Sequence, residues 1–547
     1  MEYHDKNDFE NINFQIESAS RMIDLGNFTK SFELCLDIHT TLRTTVNKDD
    51  IQYSYLLYKL GMLFVDIGHM ASKNEASYVG LEIMESDSFE SCLTRNSYYY
   101  NLGNAKSNLI QRPSDKQGHN NVKLIKQLSE VSSLFLKAIL TCRVERTDVQ
   151  PQYLVNLANN LKQQYRFSEA LALYDQVIAM NLDIAQAWVN RSECLISLNS
   201  ITKMHSVQQG KEIALGYRKA SESKCIPPDW AKSYLVRAKK IDSDIEKDCL
   251  DMGIAIEDDS HLDKQEYQSL SEFRRWCLDN FLSLSEHGLY CKCYGSASDN
   301  LHIPMPTRAI SGDFILPMEK VLNRLKSEFG LARLMLYEYK FAKSDIDIDI
   351  DDDACYAELY DNELLGTNIE KLRTAFRVCF GILDKIGNAV ALLFDLQSKN
   401  NKGKVRHSSF HTFWELENED RLQKFEAYDN EGLIGLYSIA CDLNHKLEGE
   451  LSFYKQWRNA LEHSFVFVYE NEKPESTEAS LTYYEEPVFI SESEFIESVE
   501  HVLQLTRSAI FSFVFAVRIK SEREALNNIP DILIKNKFLE QKNILRK

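Results

Sequence analysis

The sequence predicts an all-α protein in two parts: an N-terminal solenoid of short helical repeats, then a C-terminal helical bundle with minor β or hairpin insertions. Three observations carry this. Only ten prolines occur among 547 residues, and the long uninterrupted stretches between them repeat apolar residues at i, i+3 and i+4, the period of an amphipathic helix. A step of 34 residues separates Leu154 from Trp188 and Ala158 from Ser192, and self-similarity at a fixed step marks a repeat array. Near the C-terminus, Ala509 to Val517 is strongly apolar. It falls short of the roughly 18 residues that a membrane span requires and reads as a buried bundle helix.

Composition narrows the function classes. The chain is 44% hydrophobic and 27% charged, as in ordinary globular proteins, and its length implies two or more domains. A net charge of −19 argues against nucleic-acid binding over the whole surface but leaves room for a local basic groove. Twelve cysteines are scattered without paired zinc-ligand spacing. Cys291-Lys292-Cys293 is the only close pair, and further ligands are not evident beside it, so the thiols are expected to be reduced and mostly buried. Residues Met1 to Asp8 combine no basic region with an apolar core, so a signal peptide is not expected. The expected location is cytoplasmic, without membrane association. Phosphate-binding glycine loops, G-x-S-x-G and H-E-x-x-H are absent from the sequence. No cofactor and no metal are expected.

In the N-terminal half, Leu154, Leu157, Ala158, Leu161, Ala170 and Tyr174 recur at helix-packing positions on either side of Tyr165-Arg166-Phe167. This stretch resembles a tetratricopeptide repeat. The next copy is poorer: Arg191 stands where an apolar residue is usual, and the second helix is displaced by an insertion. Upstream, Gly26-Asn27-Phe28 matches Tyr165-Arg166-Phe167 as an inter-helix turn, and Leu60-Gly61 and Leu102-Gly103 resemble first-helix packing sites. Gln111 to Asn121 is a polar insertion. Residues 1–245 are therefore expected to form a TPR-like helical domain that presents a long surface to a protein partner or trigger. The expected organisation continues with a polar linker at 246–264, a bundle domain at 265–525 and a basic tail at 526–547.

Within the bundle, helical periodicity covers Tyr267 to Asn280, Leu322 to Tyr339, Ile369 to Asn388 and Glu492 to Arg518. Asp345 to Asp353 carries six acids but lacks the glycine bend and distal glutamate of a calcium loop, so a solvated or edge-strand segment is expected. Lys402, Lys404 and Arg406 lie in a concentrated basic run followed by Phe410, Phe413 and Trp414. Such a loop can hold phosphates and stack bases; its plain alternative is a surface loop leading into a core helix. His407 and His411 stand four apart, but no third metal ligand is evident. Glu470 to Pro487 reads as a hairpin or loop.

The segment Trp457-Arg458-Asn459-Ala460-Leu461-Glu462-His463 holds the chemistry. A guanidinium offers a planar fork to a phosphate, and an imidazole exchanges protons near neutral pH. Together they suffice to cleave RNA without a metal, one assisting proton transfer and the other stabilising a phosphorane. Five helical positions place Arg458 and His463 about 140° apart, so one continuous helix does not aim both at the same atom. Either the helix ends near His463, where the β-branched and aromatic run Ser464 to Tyr469 begins, or a second copy of the chain completes the site. The plain alternative is a pair of surface residues.

The order Trp276-Cys277-Leu278, Asn323 to Glu338, Lys371 to Lys385, Leu433 to Ser438 and Arg458 to His463 resembles the HEPN superfamily (higher eukaryotes and prokaryotes nucleotide-binding), in the bacterial subfamily with tetratricopeptide-like repeats in front. The resemblance implies a homodimer with two signatures facing each other. It implies that Arg458 binds the scissile phosphate and stabilises the transition state, that His463 is the general acid or base, and that Asn459 orients the phosphate or the histidine by hydrogen bonding. Glu462 and Asp384 are implied as supporting residues, Glu462 through a pair with Arg458 and Asp384 through a partner for a carboxylate on an apolar helix. Phe465 stands where some HEPN toxins carry a modifiable tyrosine, so control through the repeats is expected instead. The function implied is a metal-independent endoribonuclease acting on single-stranded RNA by transesterification, in stress response or anti-phage defence. Two alternatives stay open: a non-catalytic scaffold binding RNA, nucleotide or protein, and a toxin held by an antitoxin.

Overall fold

The computed structural model describes residues 2–45, 51–86, 94–110, 121–202, 206–253, 260–304, 313–341, 345–357, 362–397, 409–470 and 487–527. Two compact units are formed, Met1–Gln117 with Lys123–Asn160, and Gly118–Val122 with Leu161–Lys547.

The first unit contains α1 (Glu2–Asp24), α2 (Phe28–Thr45), α3 (Ile51–Met70), α4 (Asn74–Met84), α5 (Arg95–Leu109) and α6 (Val122–Val144), and α7 (Pro151–Gln163) begins in it. Its core is a stripe logic: Leu60, Phe64 and Ile67 on α3 are fully buried at the i, i+4, i+7 spacing of one helix face. Glycines set the helix separation. A Cβ on Gly61 would lie 2.8 Å from Ile83 Cγ2, and one on Gly103 2.8 Å from the Phe135 ring. The Gly26 turn is left-handed (φ +75°) and closes with Asn27 N–H donating to Met22 O at 2.8 Å, the helix-ending bond that an αL residue permits. Tyr165 repeats this turn: its φ is +60° and Arg166 N–H donates to Leu161 O at 3.0 Å. The two turns aligned by sequence are thus the same turn in space.

The second unit continues with α8 (Phe167–Ala179), α9 (Ala185–Thr202), α10 (Val207–Ser221), α11 (Pro228–Met252), α12 (Ser260–Ser269), α13 (Glu272–Asp279), α14 (Ile315–Phe341), α15 (Asp345–Ala354), α16 (Thr367–Leu393), α17 (Glu419–Ala427), α18 (Glu431–Asp442), α19 (Phe453–His463), β1 (Val466–Tyr469), β2 (Val488–Ser491) and α20 (Glu492–Asn527). Helices α8 to α11 each pack on the next. Ser192 on α9 is buried against Gly216 of α10 and donates its hydroxyl to Ile213 O, so the small residue at the 34-residue step does permit a close approach. Arg191, out of place by polarity, is buried between Asp175 (2.6 Å) and Glu212 (3.1 Å). Two carboxylates make that burial tolerable. Helix α11 continues into the segment expected as a linker and ends at Met252, where Gly253 turns left-handed (φ +66°).

Helix α20 is the axis of this unit, packing on α8, α9, α14, α16 and α18. It is the one helix among the described residues long and apolar enough to cross a membrane, yet 94% of its most apolar window is buried inside the protein. Close approach is again built from small residues. A Cβ on Gly432 of α18 would stand 2.2 Å from Ala516 N and 2.5 Å from Ser512 O, both backbone atoms of α20. Gly432→Ala should therefore cost about 1–3 kcal/mol of unfolding free energy, read as a fall in the urea midpoint; an unchanged midpoint would show that the two helices separate freely.

One expectation needs correction. The acidic run is neither a strand nor wholly solvated: it forms α15. Asp347 is buried and pairs with Lys371 at 2.7 Å, while Asp351 Oδ1 accepts from Thr367 N–H at 2.7 Å. These acids sit at the N-terminus of α16, where unpaired N–H groups and the helix dipole favour negative charge. β1 and β2 pair in parallel, Val466 with Val488 through Tyr469 with Ser491; the stretch expected as a hairpin or loop between them lies almost wholly outside the described residues. Residues 471–486, 111–120, 398–408 and 528–547 lie outside the described residues, so the basic tail, the polar insertion and the basic run with Lys402, Lys404, Arg406 and His407 do too.

Candidate active site

Helix α19 is held by one apolar face. Tyr454, Trp457 and Ala460 are buried, and the Trp457 ring meets Phe376 of α16 and Phe495 of α20, each at 6.3 Å between centroids. Anchoring that face turns Arg458, Asn459, Glu462 and His463 outward. Asn459, Glu462 and His463 are exposed and Arg458 is half-buried. The helix ends at His463, because Ser464 leaves helical space (φ −141°, ψ −142°) and Val466 enters β1. Backbone beyond His463 is thus free to diverge, as the β-branched run implies.

Arg458 is positioned rather than loose. Its Nη2 lies 3.6 Å from Asp384 Oδ2, and its Nη1 donates to Asn459 Oδ1 at 3.3 Å. Asp384 is itself fixed, since its other oxygen accepts from Phe410 N–H at 2.8 Å. Burial on α16 pushes the Asp384 carboxyl above its usual range, opposed by the Phe410 N–H and by the charges of Arg458 and Lys385. Lys385 is engaged with Glu328 at 3.0 Å. Asp384 and Arg458, distant in sequence, are brought together; Glu462 stays exposed, and the ion pair of Arg458 goes to Asp384.

His411 is an addition that sequence spacing does not reveal, since its significance depends on the fold placing it close to α19. It is buried, 3.3 Å from Ser409 Oγ through Nε2. Its pKa is pushed down to about 4 by burial, with the charges of Lys455 and Arg458 adding to the effect. At pH 7 only about one His411 in a thousand carries a proton, so it serves as a neutral neighbour of Arg458, and His463 is the histidine of the motif open to solvent. Beyond His463 the rings of Phe467 and Phe489 stack at 5.1 Å and 11°, with Phe465 stacked on Phe467 at 6.1 Å.

The raised pKa of Asp384 has a signed consequence. Its ionised form is disfavoured in the folded state, so it costs stability above the usual carboxylate range, and the cost fades as pH falls through the raised value. Asp384→Asn keeps an acceptor for Phe410 N–H. It should raise stability at pH 7, with the gain vanishing at acidic pH. Unfolding curves across pH check this; a stability loss at pH 7 would contradict it.

The described residues form an almost wholly helical protein with two short strands. Residues 311–520 match the LA2681-like HEPN family, a segment that contains α14 to α19, both strands and most of α20, and so the whole Asp384–Arg458–His463 arrangement. HEPN domains are typically ribonucleases. The match leaves the helices before residue 311 outside it. No curated protein matches the chain.

Proposed function

We propose that this protein is a metal-independent endoribonuclease acting on single-stranded RNA, with the site completed by two copies of α19. The observation that carries it is a solvent-reaching Arg458, braced by Asp384 and Asn459, on the same short helix as an exposed terminal His463, inside a HEPN match. In the reaction His463 takes the proton of the 2′-hydroxyl or gives one to the leaving 5′-oxygen, and water handles the other proton. The 2′-O–P bond forms as the P–5′-O bond breaks, and Arg458 stabilises the charge on the phosphorane oxygens. The products are a 2′,3′-cyclic phosphate and a 5′-hydroxyl. The roughly 140° between the two side chains on one helix favours a dimer in which each copy supplies one of them. The helices before the HEPN match would hold a protein partner or trigger, in a stress or defence role.

Incubation of the full chain with defined single-stranded RNA in excess EDTA, followed by analysis of product ends, tests this. Cyclic phosphate ends are expected. Cleavage that requires added magnesium, or leaves 3′-hydroxyl ends, would overturn it.

A further inference from the structure

After α13 the stretch 280–304 holds only two short 3-10 turns, His287–Leu289 and Tyr294–Ala297, unusual inside a compact unit unless something fixes it or it has a task. Much of it is rigidly held. Leu282, Ser283, Leu284, Ser285 and Leu301 are nearly inaccessible. Arg507 donates to Ser283 O at 2.9 Å, and Arg333 donates to Leu282 O at 2.7 Å while pairing with Asp299. This scaffold presents three ligand-type side chains to one point. His287, Cys291 and Cys293 place their nitrogen and sulfur atoms within 4.8 Å of one another. The backbone arranges this: Cys291 N–H donates to His287 O at 3.0 Å, one helical turn, and Ser296 N–H donates to Cys293 O at 3.2 Å. The Cys293 sulfur is also within hydrogen-bonding reach of the Cys291 and His287 side chains.

We infer that His287, Cys291 and Cys293 form a zinc site, with the fourth tetrahedral position left to water or another exogenous ligand. Two sulfurs and an imidazole are the donor set that zinc prefers. The ligand atoms need to close only slightly, since zinc at about 2.3 Å from sulfur and 2.0 Å from nitrogen sets ligand separations somewhat below 4 Å. Charge agrees: two thiolates, a neutral imidazole and Zn²⁺ sum to zero, which suits a partly buried site. The outer contact agrees too. Tyr290 Oη lies 3.2 Å from His287 Nδ1, which leaves Nε2 for the metal and fixes the ring. No other His, Cys, Asp or Glu joins the three among the described residues. Any neutral thiol releases its proton to solvent on binding. The Cys291-x-Cys293 pair seemed to lack partners in the sequence; His287, four residues upstream, was the missing signal. The site lies before residue 311 and so outside the HEPN match.

Full-length, untagged protein purified under reducing conditions should contain about one zinc per chain by elemental analysis. Cobalt substitution should give a thiolate-to-cobalt charge-transfer band and intense tetrahedral d–d absorption. Cys293→Ser and His287→Ala should lose the metal, Tyr290→Phe should weaken binding about 10- to 100-fold, and Cys355→Ser, at an exposed cysteine, should retain it. Wild-type protein that holds no zinc after incubation with it, or a cobalt form without the thiolate band, overturns the assignment, and neither readout depends on a variant folding. Equal metal loss from Cys355→Ser and Cys293→Ser would overturn it as well.

Discussion

Arg458→Ala and His463→Ala are each expected to slow RNA cleavage about a thousandfold with the fold unchanged. The magnitude follows from their tasks. Loss of one charge-stabilising donor costs about 100- to 1000-fold, and loss of a general acid or base about 100- to 10,000-fold. Little structural cost is expected, because Arg458 is half-buried with its 3.6 Å pair partly screened by solvent, and His463 is exposed. The sharper form of the experiment mixes the two inactive proteins. If each site draws Arg458 from one copy and His463 from the other, a mixed dimer rebuilds one intact site, and activity should recover to as much as about one quarter of wild type at equal mixing, the statistical share of one site in half of the dimers. No recovery despite demonstrated subunit exchange would place both groups of each site in one chain. Full activity of either single variant would remove the catalytic reading altogether.

Arg166→Ala should be the most destabilising substitution considered, by about 3–5 kcal/mol, because it strands buried carboxylates. Arg166 is only 2% exposed. Its guanidinium holds Glu169 at 2.7 Å and also pairs with Asp442, and Ser438 Oγ lies 3.4 Å away. Paired, the three charges are tolerable; without the cation, Glu169 and Asp442 face each other in a poorly solvated site. Urea unfolding measures the loss. A change below about 1 kcal/mol would mean that water reaches the carboxylates and that the triad is not sealed.

Local signals were legible and long-range ones were not. The end of α19 at His463 could be read from the β-branched run that follows, because strand propensity and helix termination act over a few residues. Small residues at helix contacts, Gly61, Gly103 and Ser192, announced themselves, since only a missing side chain permits such approach. The acidic run misled because its role is set by a partner: Asp351 finds an N–H of α16, and nothing in alternating Asp and Ile reveals that a helix start lies beside it. The parallel pairing of β1 and β2 escaped for the same reason, as neither short strand states the direction of its partner. At the candidate site, Arg458, Asn459 and His463 were visible as a motif. The brace from Asp384 and the neutral His411 beside it depend on packing between α16, α19 and the 409–414 turn.

Asp442 does two things with one residue. Its carboxylate grips Arg166 in the turn before α8, and its backbone oxygen accepts from Leu451 N–H at 3.0 Å, two residues before α19 begins. A glycine seals the passage between: a Cβ on Gly449 would stand 2.2 Å from Cys441 O. The turn and the start of the Arg458 helix therefore share a rivet. A shift at Arg166 has a route to α19 through one ion pair and one backbone hydrogen bond, both made by Asp442.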